Sequence, residues 1–174
     1  MAASTLEAIL AAQEALAPSQ TIPETMASAV ITGCKAKYSY TGKQVKPLIQ
    51  VVWNGKILRN NTDYTLLYKN NKKRGSAGIV VTGKGNYSGT LTASFTIVRA
   101  SVKKASVTGL KAVYARTGKA VKPKVTVKLG GKKLKKKRDY ILSYRKNKKK
   151  GTALLYVKGV GNYSGTKKMK FKIR

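Results

Sequence analysis

The chain repeats itself at a spacing of 76 residues, and this repeat limits the folds available to it more than any other feature. The stretch Gly83-Lys-Gly-Asn-Tyr-Ser-Gly89 returns as Gly159-Val-Gly-Asn-Tyr-Ser-Gly165. At that spacing residues 31–98 align with 107–174 without a gap, and 34 of the 68 pairs are identical. Such self-similarity indicates that one structural unit occurs twice.

The recurring residues predict short strands separated by turns. Glycine and proline recur where a turn needs a positive or a fixed φ, and apolar residues recur between them at a period of two. Asn54-Gly55 is a strong hairpin signal, and Gly130-Gly131 takes its place in the second copy. The pattern predicts six strands in the first copy, at about 29–32, 37–40, 48–53, 64–69, 76–82 and 90–98.

The repeat divides the 174 residues into two predicted modules and a leader. Module one is predicted at 29–99, module two at 104–174, and a helical leader with its linker at 1–28.

The leader is predicted to contain an attachment helix over residues 5–16, followed by a linker over 17–26. Ser4-Thr5-Leu6-Glu7 fits a capping box, and Leu6, Ile9 and Leu10 lie along one face. A helix of this length is marginal alone in water. We therefore expect it to dock on its own modules, on a second copy, or on a larger assembly.

Side chains that build catalytic or metal sites are scarce. The chain has no histidine and one cysteine, Cys34, and each module has a single carboxylate, Asp63 or Asp139. This composition argues against Ser-His-Asp sites, Cys-His sites, His/Cys metal sites and paired carboxylates within a module. We expect a protein that is not an enzyme and has no cofactor or metal. Both aspartates are expected to accept backbone amides beside a strand.

The tyrosines are predicted to belong mainly to the cores of the modules. Four of them recur at the repeat spacing, and recurrence at matching strand positions favours packing, with the hydroxyl finding a partner at the rim. The recurring pairs are Tyr38/Tyr114, Tyr64/Tyr140, Tyr68/Tyr144 and Tyr87/Tyr163.

Positive charge is concentrated in module two. The chain has 37 Lys and Arg against 5 Asp and Glu, and 25 of the basic residues lie at 103–174. Many of them replace neutral residues of module one, so the fold does not require them. In the last strand, from Lys168 onward, lysines alternate with apolar residues. This alternation predicts one apolar and one basic face. The candidate polyanion-binding residues are Lys124, Lys128, Lys136, Lys137, Arg138, Lys168, Lys170 and Lys172.

Two interpretations of this charge stay open. A dense basic surface would concentrate polyanions by counterion release, and nucleic acid, teichoic acid, sulfated or uronic glycans and acidic proteins are candidates. Alternatively, the lysines form a solvated face that also protects exposed strand edges. No aromatic side chain interleaves the row of lysines on the basic face of the last strand, which argues against a stacking platform for single-stranded nucleic acid.

The repeated motifs resemble the tandem Ig-like repeats of Firmicutes cell-surface proteins. The resemblance begins at Thr41-Gly-Lys-x-Val-Lys-Pro47 and its copy from Thr117, and ends at Phe95-x-Ile97 and its copy from Phe171. It implies an all-β fold of two tandem Ig-like β-sandwich modules, here preceded by a short N-terminal helix. It also implies use as a spacer, adhesive or carbohydrate-facing module. Ig-like modules on phage virions are similar.

Two functions from different classes are expected. The first is a non-catalytic structural or adhesive protein displayed on a bacterial envelope or a phage particle, whose partners are a surface polymer or glycan, or virion proteins. The second is a sequence-independent nucleic-acid-binding protein. No signal peptide is visible, and no run of 18 apolar residues predicts a membrane span.

Overall fold

A computed structural model describes residues 22–174 of the chain, and this part is all-β. It contains eighteen strands and one 3-10 helix, Val102–Lys104. The predicted fold class is therefore confirmed at this level. The predicted attachment helix, with Leu6, Ile9 and Leu10, lies outside the described residues. Within residues 22–174 no helix has the length and apolarity needed to cross a membrane.

The first copy of the repeat holds nine strands. Their bounds are β1 Glu24–Thr25, β2 Val30–Thr32, β3 Lys37–Ser39, β4 Gln50–Trp53, β5 Lys56–Ile57, β6 Tyr64–Lys69, β7 Gly75–Gly83, β8 Tyr87–Ser88 and β9 Thr90–Val98. The six predicted strands are all present, with ends that differ by up to two residues. The sheets have the orders β1-β8, β2-β4-β5 and β3-β9-β7-β6.

The second copy repeats this arrangement. Its strands are β10 Ala100–Ser101, β11 Ser106–Thr108, β12 Val113–Tyr114, β13 Thr126–Leu129, β14 Lys132–Lys133, β15 Tyr140–Arg145, β16 Gly151–Gly159, β17 Tyr163–Ser164 and β18 Thr166–Ile173. The sheets have the orders β10-β17, β11-β13-β14 and β12-β18-β16-β15. Strand for strand, these orders match those of the first copy.

The predicted hairpins are confirmed at both positions. Asn54 and Gly55 have φ values of 46° and 77°, and Gly130 and Gly131 have 55° and 77°. Two consecutive residues with positive φ match the right-handed twist of the flanking strands, as in a type I′ turn. β4 and β5 pair antiparallel across the first turn, and β13 and β14 across the second.

The repeat starts earlier than sequence identity indicates. Residues 24–26 are assigned above to a linker. Residues 24 and 25 instead form β1, which pairs parallel with β8, and Met26 is fully buried. Seventy-six residues later β10 pairs parallel with β17, and Val102 is fully buried. Identity is lost here because main-chain pairing tolerates many side chains. We call residues 24–98 the first repeat and 100–174 the second repeat.

Contacts between Cα atoms group the chain into two compact units that do not follow the repeat. The described part of one unit consists of residues 22–32, Ile49–Leu67 and Ile79–Thr92. The other consists of Gly33–Leu48, Tyr68–Gly78 and Ala93–Arg174, and contains the whole second repeat. The module limits 29–99 and 104–174 stay a prediction.

In the second repeat, two sheets share one core. Val127 of β13 and Phe171 of β18 belong to the same buried cluster, so the three-stranded and four-stranded sheets enclose it in a sandwich-like arrangement. Along β16, Ala153, Leu155 and Val157 point into this core while the residues between them face outward. Each large buried apolar side chain contributes about 1.5–3 kcal/mol.

The recurring tyrosines are confirmed as structural. The Tyr144 hydroxyl donates to the Pro123 carbonyl at 2.8 Å, and the Tyr114 hydroxyl accepts the Lys111 amide at 2.8 Å. Their counterparts Tyr68 and Tyr38 make the same bonds in the first repeat. The buried tyrosines are Tyr64, Tyr87, Tyr140 and Tyr163.

Both aspartates accept backbone amides, but from residues that precede them. Asp139 Oδ2 accepts the Lys135 amide at 2.8 Å, and Asp63 Oδ2 accepts the Arg59 amide at 2.7 Å. Both residues are buried and precede the first residue of a strand. These carboxylates therefore fix the turn that leads into β15 or β6, as expected of a structural role.

We predict that Asp139→Asn destabilises the protein in a pH-dependent way. Hydrogen bonds from the Arg138 guanidinium lower the pKa of Asp139, and burial opposes this shift only in part. A lowered pKa in the folded state stabilises the protein above the unfolded pKa of about 3.9, and this contribution disappears as pH falls through the lower folded value. Asp139→Asn should lower the free energy of unfolding by about 1 kcal/mol at pH 7. In urea titrations the difference should shrink as the pH falls below about 3.9.

Glu24→Gln is the control because it makes the same charge change on an exposed side chain. A difference between Asp139→Asn and wild type that is the same at pH 7 and pH 2 would contradict the role assigned to the carboxylate.

Candidate polyanion-binding surface

The structure distributes the predicted binding residues over three places in the second repeat. Lys168, Lys170 and Lys172 are exposed on β18, and Lys128 is exposed on β13. Their neighbours Phe171 and Val127 point into the shared core. Because the two sheets enclose that core, Lys128 and the β18 lysines face solvent on opposite sides of it. Lys124 and the sequence 136–138 lie in the loops that flank β13–β14.

The β18 lysines belong to a larger basic surface. In the register of the sheet, Lys172, Lys170 and Lys168 lie opposite Thr152, Leu154 and Tyr156 of β16. Arg145 and Ser143 of β15 lie opposite Leu154 and Tyr156 on the other side. We call this side of the sheet the outer face. Its basic residues are Arg145, Lys158, Lys168, Lys170 and Lys172.

The outer face contains an aromatic side chain that does not lie on β18. Tyr156 lies directly opposite Lys168, and the Cζ atom of Arg145 is 5.8 Å from the centroid of its ring. Alternation within β18 does not reveal it, because Tyr156 lies on the neighbouring strand β16. The signal was present in β16, where Tyr156 stands between two core residues, Leu155 and Val157, and must therefore point outward.

Lys124 and Lys136 border a shallow groove on another part of the second repeat. The groove has a volume of about 840 Å³. Its lysines are Lys122, Lys124, Lys133, Lys135 and Lys136, and its apolar lining includes Val125, Leu134, Leu142 and Tyr144. We call it the lysine groove. Two predicted binding residues thus come together here, with three further lysines that the prediction did not include.

Arg138 differs from the other predicted binding residues because it has a carboxylate partner. Its Nη2 and Nε atoms donate to Asp139 Oδ2 at 2.9 Å and to Oδ1 at 3.0 Å. Among residues 22–174 the ion pairs are this one and Arg59–Asp63. The lysines of the outer face and of the groove therefore have no carboxylate to neutralise them within the described chain.

Two lysines of the second repeat occupy backbone positions that favour asparagine. Lys137 has φ 71° where Asn61 has 68°, and Lys146 has φ 54°, the same as Asn70. Positive φ is several-fold more common for asparagine than for an ordinary side chain, which makes lysine there strained. The second repeat therefore carries this charge despite a local cost in stability.

Within 22–174 no group of three or more His, Cys, Asp or Glu lies close enough together to hold a metal ion. Desolvation raises the pKa of the half-buried Cys34 thiol, which makes it less reactive.

Comparison with known proteins finds no matching family model, curated protein or solved structure.

We predict that Lys137→Asn stabilises the protein. The substitution restores the residue that the first repeat has at this φ, and should raise the free energy of unfolding by about 0.5–1 kcal/mol. Chemical denaturation of the full chain measures the change. Lys136→Asn is the matched control, because it removes the same charge one residue earlier and, unlike Lys137, Lys136 does not have a positive φ. Equal gains from both variants would attribute the effect to charge repulsion and contradict backbone strain.

Proposed function

We propose that the protein is a non-catalytic structural or adhesive surface protein that contacts anionic polymers through its second repeat. The observation that carries this proposal is the difference between two copies of one scaffold. The first repeat has Thr92, Ser94 and Thr96 at the positions of Lys168, Lys170 and Lys172. Because both copies form the same strands, the fold does not need these three charges.

The electrostatics of the outer face support contact with a long anion rather than a small one. Alternate residues of a strand stand about 6.6–6.8 Å apart, which puts Lys168, Lys170 and Lys172 in a row along β18. A polyanion lying along this row would release counterions at each contact, so several weak contacts add up to steep, salt-dependent binding. The same row also repels other copies of the protein and favours solubility. A solvated lysine face without a ligand would have this effect alone.

The architecture supports an Ig-like module as the carrier of this surface. Around one core the second repeat has a three-stranded and a four-stranded sheet, the numbers found in constant-type Ig sandwiches, and adds the two-stranded sheet β10-β17. We propose display on a bacterial envelope or a phage particle, since the resemblance in sequence is to modules used there. Sequence-independent binding of nucleic acid is the alternative, because lysine contacts with phosphates carry no sequence information.

The proposal is tested by giving β18 the residues of the first repeat. We expect the triple variant Lys168→Thr, Lys170→Ser, Lys172→Thr to fold as wild type does and to bind duplex DNA, teichoic acid and a sulfated glycan more weakly. For DNA, the slope of log affinity against log salt should become shallower by roughly 2–3, since each lysine–phosphate contact contributes roughly 0.9. Titrations at several ionic strengths give this slope.

A second triple variant separates the outer face from total charge. Lys148→Thr, Lys149→Ser, Lys150→Thr removes three charges from the loop between β15 and β16, where the first repeat is also basic. It should retain most of the affinity. Equal losses in the two variants would show that overall charge governs binding, and failure of the wild-type chain to bind any of the polymers at physiological salt would refute the proposal.

A further inference from the structure

Tyr156 is a tyrosine whose position the fold does not explain. Eight of the ten tyrosines form the four recurring pairs. Each of these eight either is buried or has a hydroxyl group that is hydrogen-bonded to a backbone amide or carbonyl group. Of the remaining two, Tyr40 packs edge-on against Tyr163, with ring centroids 5.8 Å apart. Tyr156 instead lies half-buried on the outer face, and the first repeat has Val80 in its place. A smaller aliphatic side chain therefore satisfies the fold at this position.

The side chains around Tyr156 form a small cavity that combines cationic groups with apolar surface. The cavity has a volume of about 270 Å³ and is lined by Ser143, Arg145, Tyr156, Lys158 and Thr166. Lys168 lies directly opposite Tyr156 on the neighbouring strand. We call these six residues the Tyr156 site. It combines one phenol ring, two aliphatic hydroxyl groups and three cations.

The first repeat lacks this combination. At the equivalent positions it has Leu67, Lys69, Val80, Thr82, Thr90 and Thr92. It thus keeps one cation and loses the ring, the hydroxyl of Ser143 and two of the three positive charges. Because the strands and their order are the same, the Tyr156 site is an addition to the scaffold rather than part of it.

We propose that the Tyr156 site binds one sugar ring of an anionic polysaccharide, whose chain continues along Lys170 and Lys172. The inference rests on the proposed function and names its ligand class. The apolar side of a sugar ring would pack on the aromatic ring, Ser143 and Thr166 would bond ring hydroxyls, and the three cations would face the acidic group. The guanidinium of Arg145 suits a planar carboxylate or a sulfate because it donates two parallel hydrogen bonds.

A polysaccharide fits this site better than single-stranded nucleic acid. Proteins that bind single strands without sequence preference use several aromatic rings, on which successive bases stack. Among the described strands of this sheet, the outer face has a single aromatic residue. The neighbouring outward positions hold aliphatic or hydroxyl side chains, such as Leu154 and Ser143. The cavity is also small, below the roughly 300 Å³ at which drug-sized pockets begin. It accommodates one ring-sized unit at a time.

The test uses the full chain and exchanges Tyr156 for the residue of the first repeat. Tyr156→Val leaves every charge in place and should lower affinity for a polyuronate and for a sulfated glucan about tenfold, the effect of losing one aromatic packing contact. Binding to inorganic polyphosphate, which has neither sugar nor base, should change less than twofold. Comparison of the two glycans tells carboxylate from sulfate recognition.

Three further variants control this result. Tyr156→Phe keeps the ring and should bind the glycans within about threefold of wild type. Ile57→Thr alters an exposed apolar residue of the first repeat and should have no effect. Arg145→Lys keeps the charge but loses the paired hydrogen bonds. It should weaken binding of the glycans and also of polyphosphate, because a guanidinium pairs with phosphate oxygens in the same way. Urea denaturation checks that each variant is folded.

The outcomes separate the two proposals. If Tyr156→Val binds the glycans as wild type does while the β18 triple variant loses affinity, the Tyr156 site is refuted and the polyanion function stands. If Tyr156→Val loses more affinity for oligodeoxythymidylate than for either glycan, the site is a nucleic-acid site and the inference is wrong. If the wild-type chain binds none of the probes, both proposals fail.

Discussion

Alternation along the strands of the four-stranded sheet is the constraint on which the second repeat depends. Phe171 and Ile173 of β18 must point inward to fill the core, and this fixes the direction of Lys170 and Lys172. A shift of one residue in register would bury the lysines and expose the phenyl ring, at a cost far above the stability of a small domain. The inward positions are therefore restricted by packing, whereas the outward positions are free to differ between the two copies.

The two copies use this freedom differently. The first repeat keeps small neutral residues on β9, where the second has lysines on β18. The extra charge has costs that are local and identifiable, since lysines repel one another and two of them occupy positive-φ positions at which the first repeat has asparagine. Asp139 limits the cost in one loop, because it binds the Lys135 amide and the Arg138 guanidinium.

Much of the fold was predictable because strands and turns leave local signals. Asn54-Gly55 predicted a hairpin from two residues alone, and the period of two located β6 at its observed ends. β1 and β10 were not predicted, since two-residue strands have no period and their pairing is made by the backbone. The candidate site was predicted only in part. Lys168, Lys170 and Lys172 follow from alternation within one strand, whereas Arg145 and Tyr156 join them through the pairing of three strands.

By itself the sequence determined that the chain contains one unit twice, that the unit is built of strands, and that the second copy carries the charge. These properties are encoded locally, in turn residues, in alternation and in composition. The tertiary structure decided which of the basic residues share a surface. It placed Lys128 and the β18 lysines on opposite sides of one core, gathered Lys124 and Lys136 around a groove, and brought Tyr156 between Lys168 and Arg145. Such neighbourhoods depend on the pairing register of strands far apart in the chain, which no local pattern specifies.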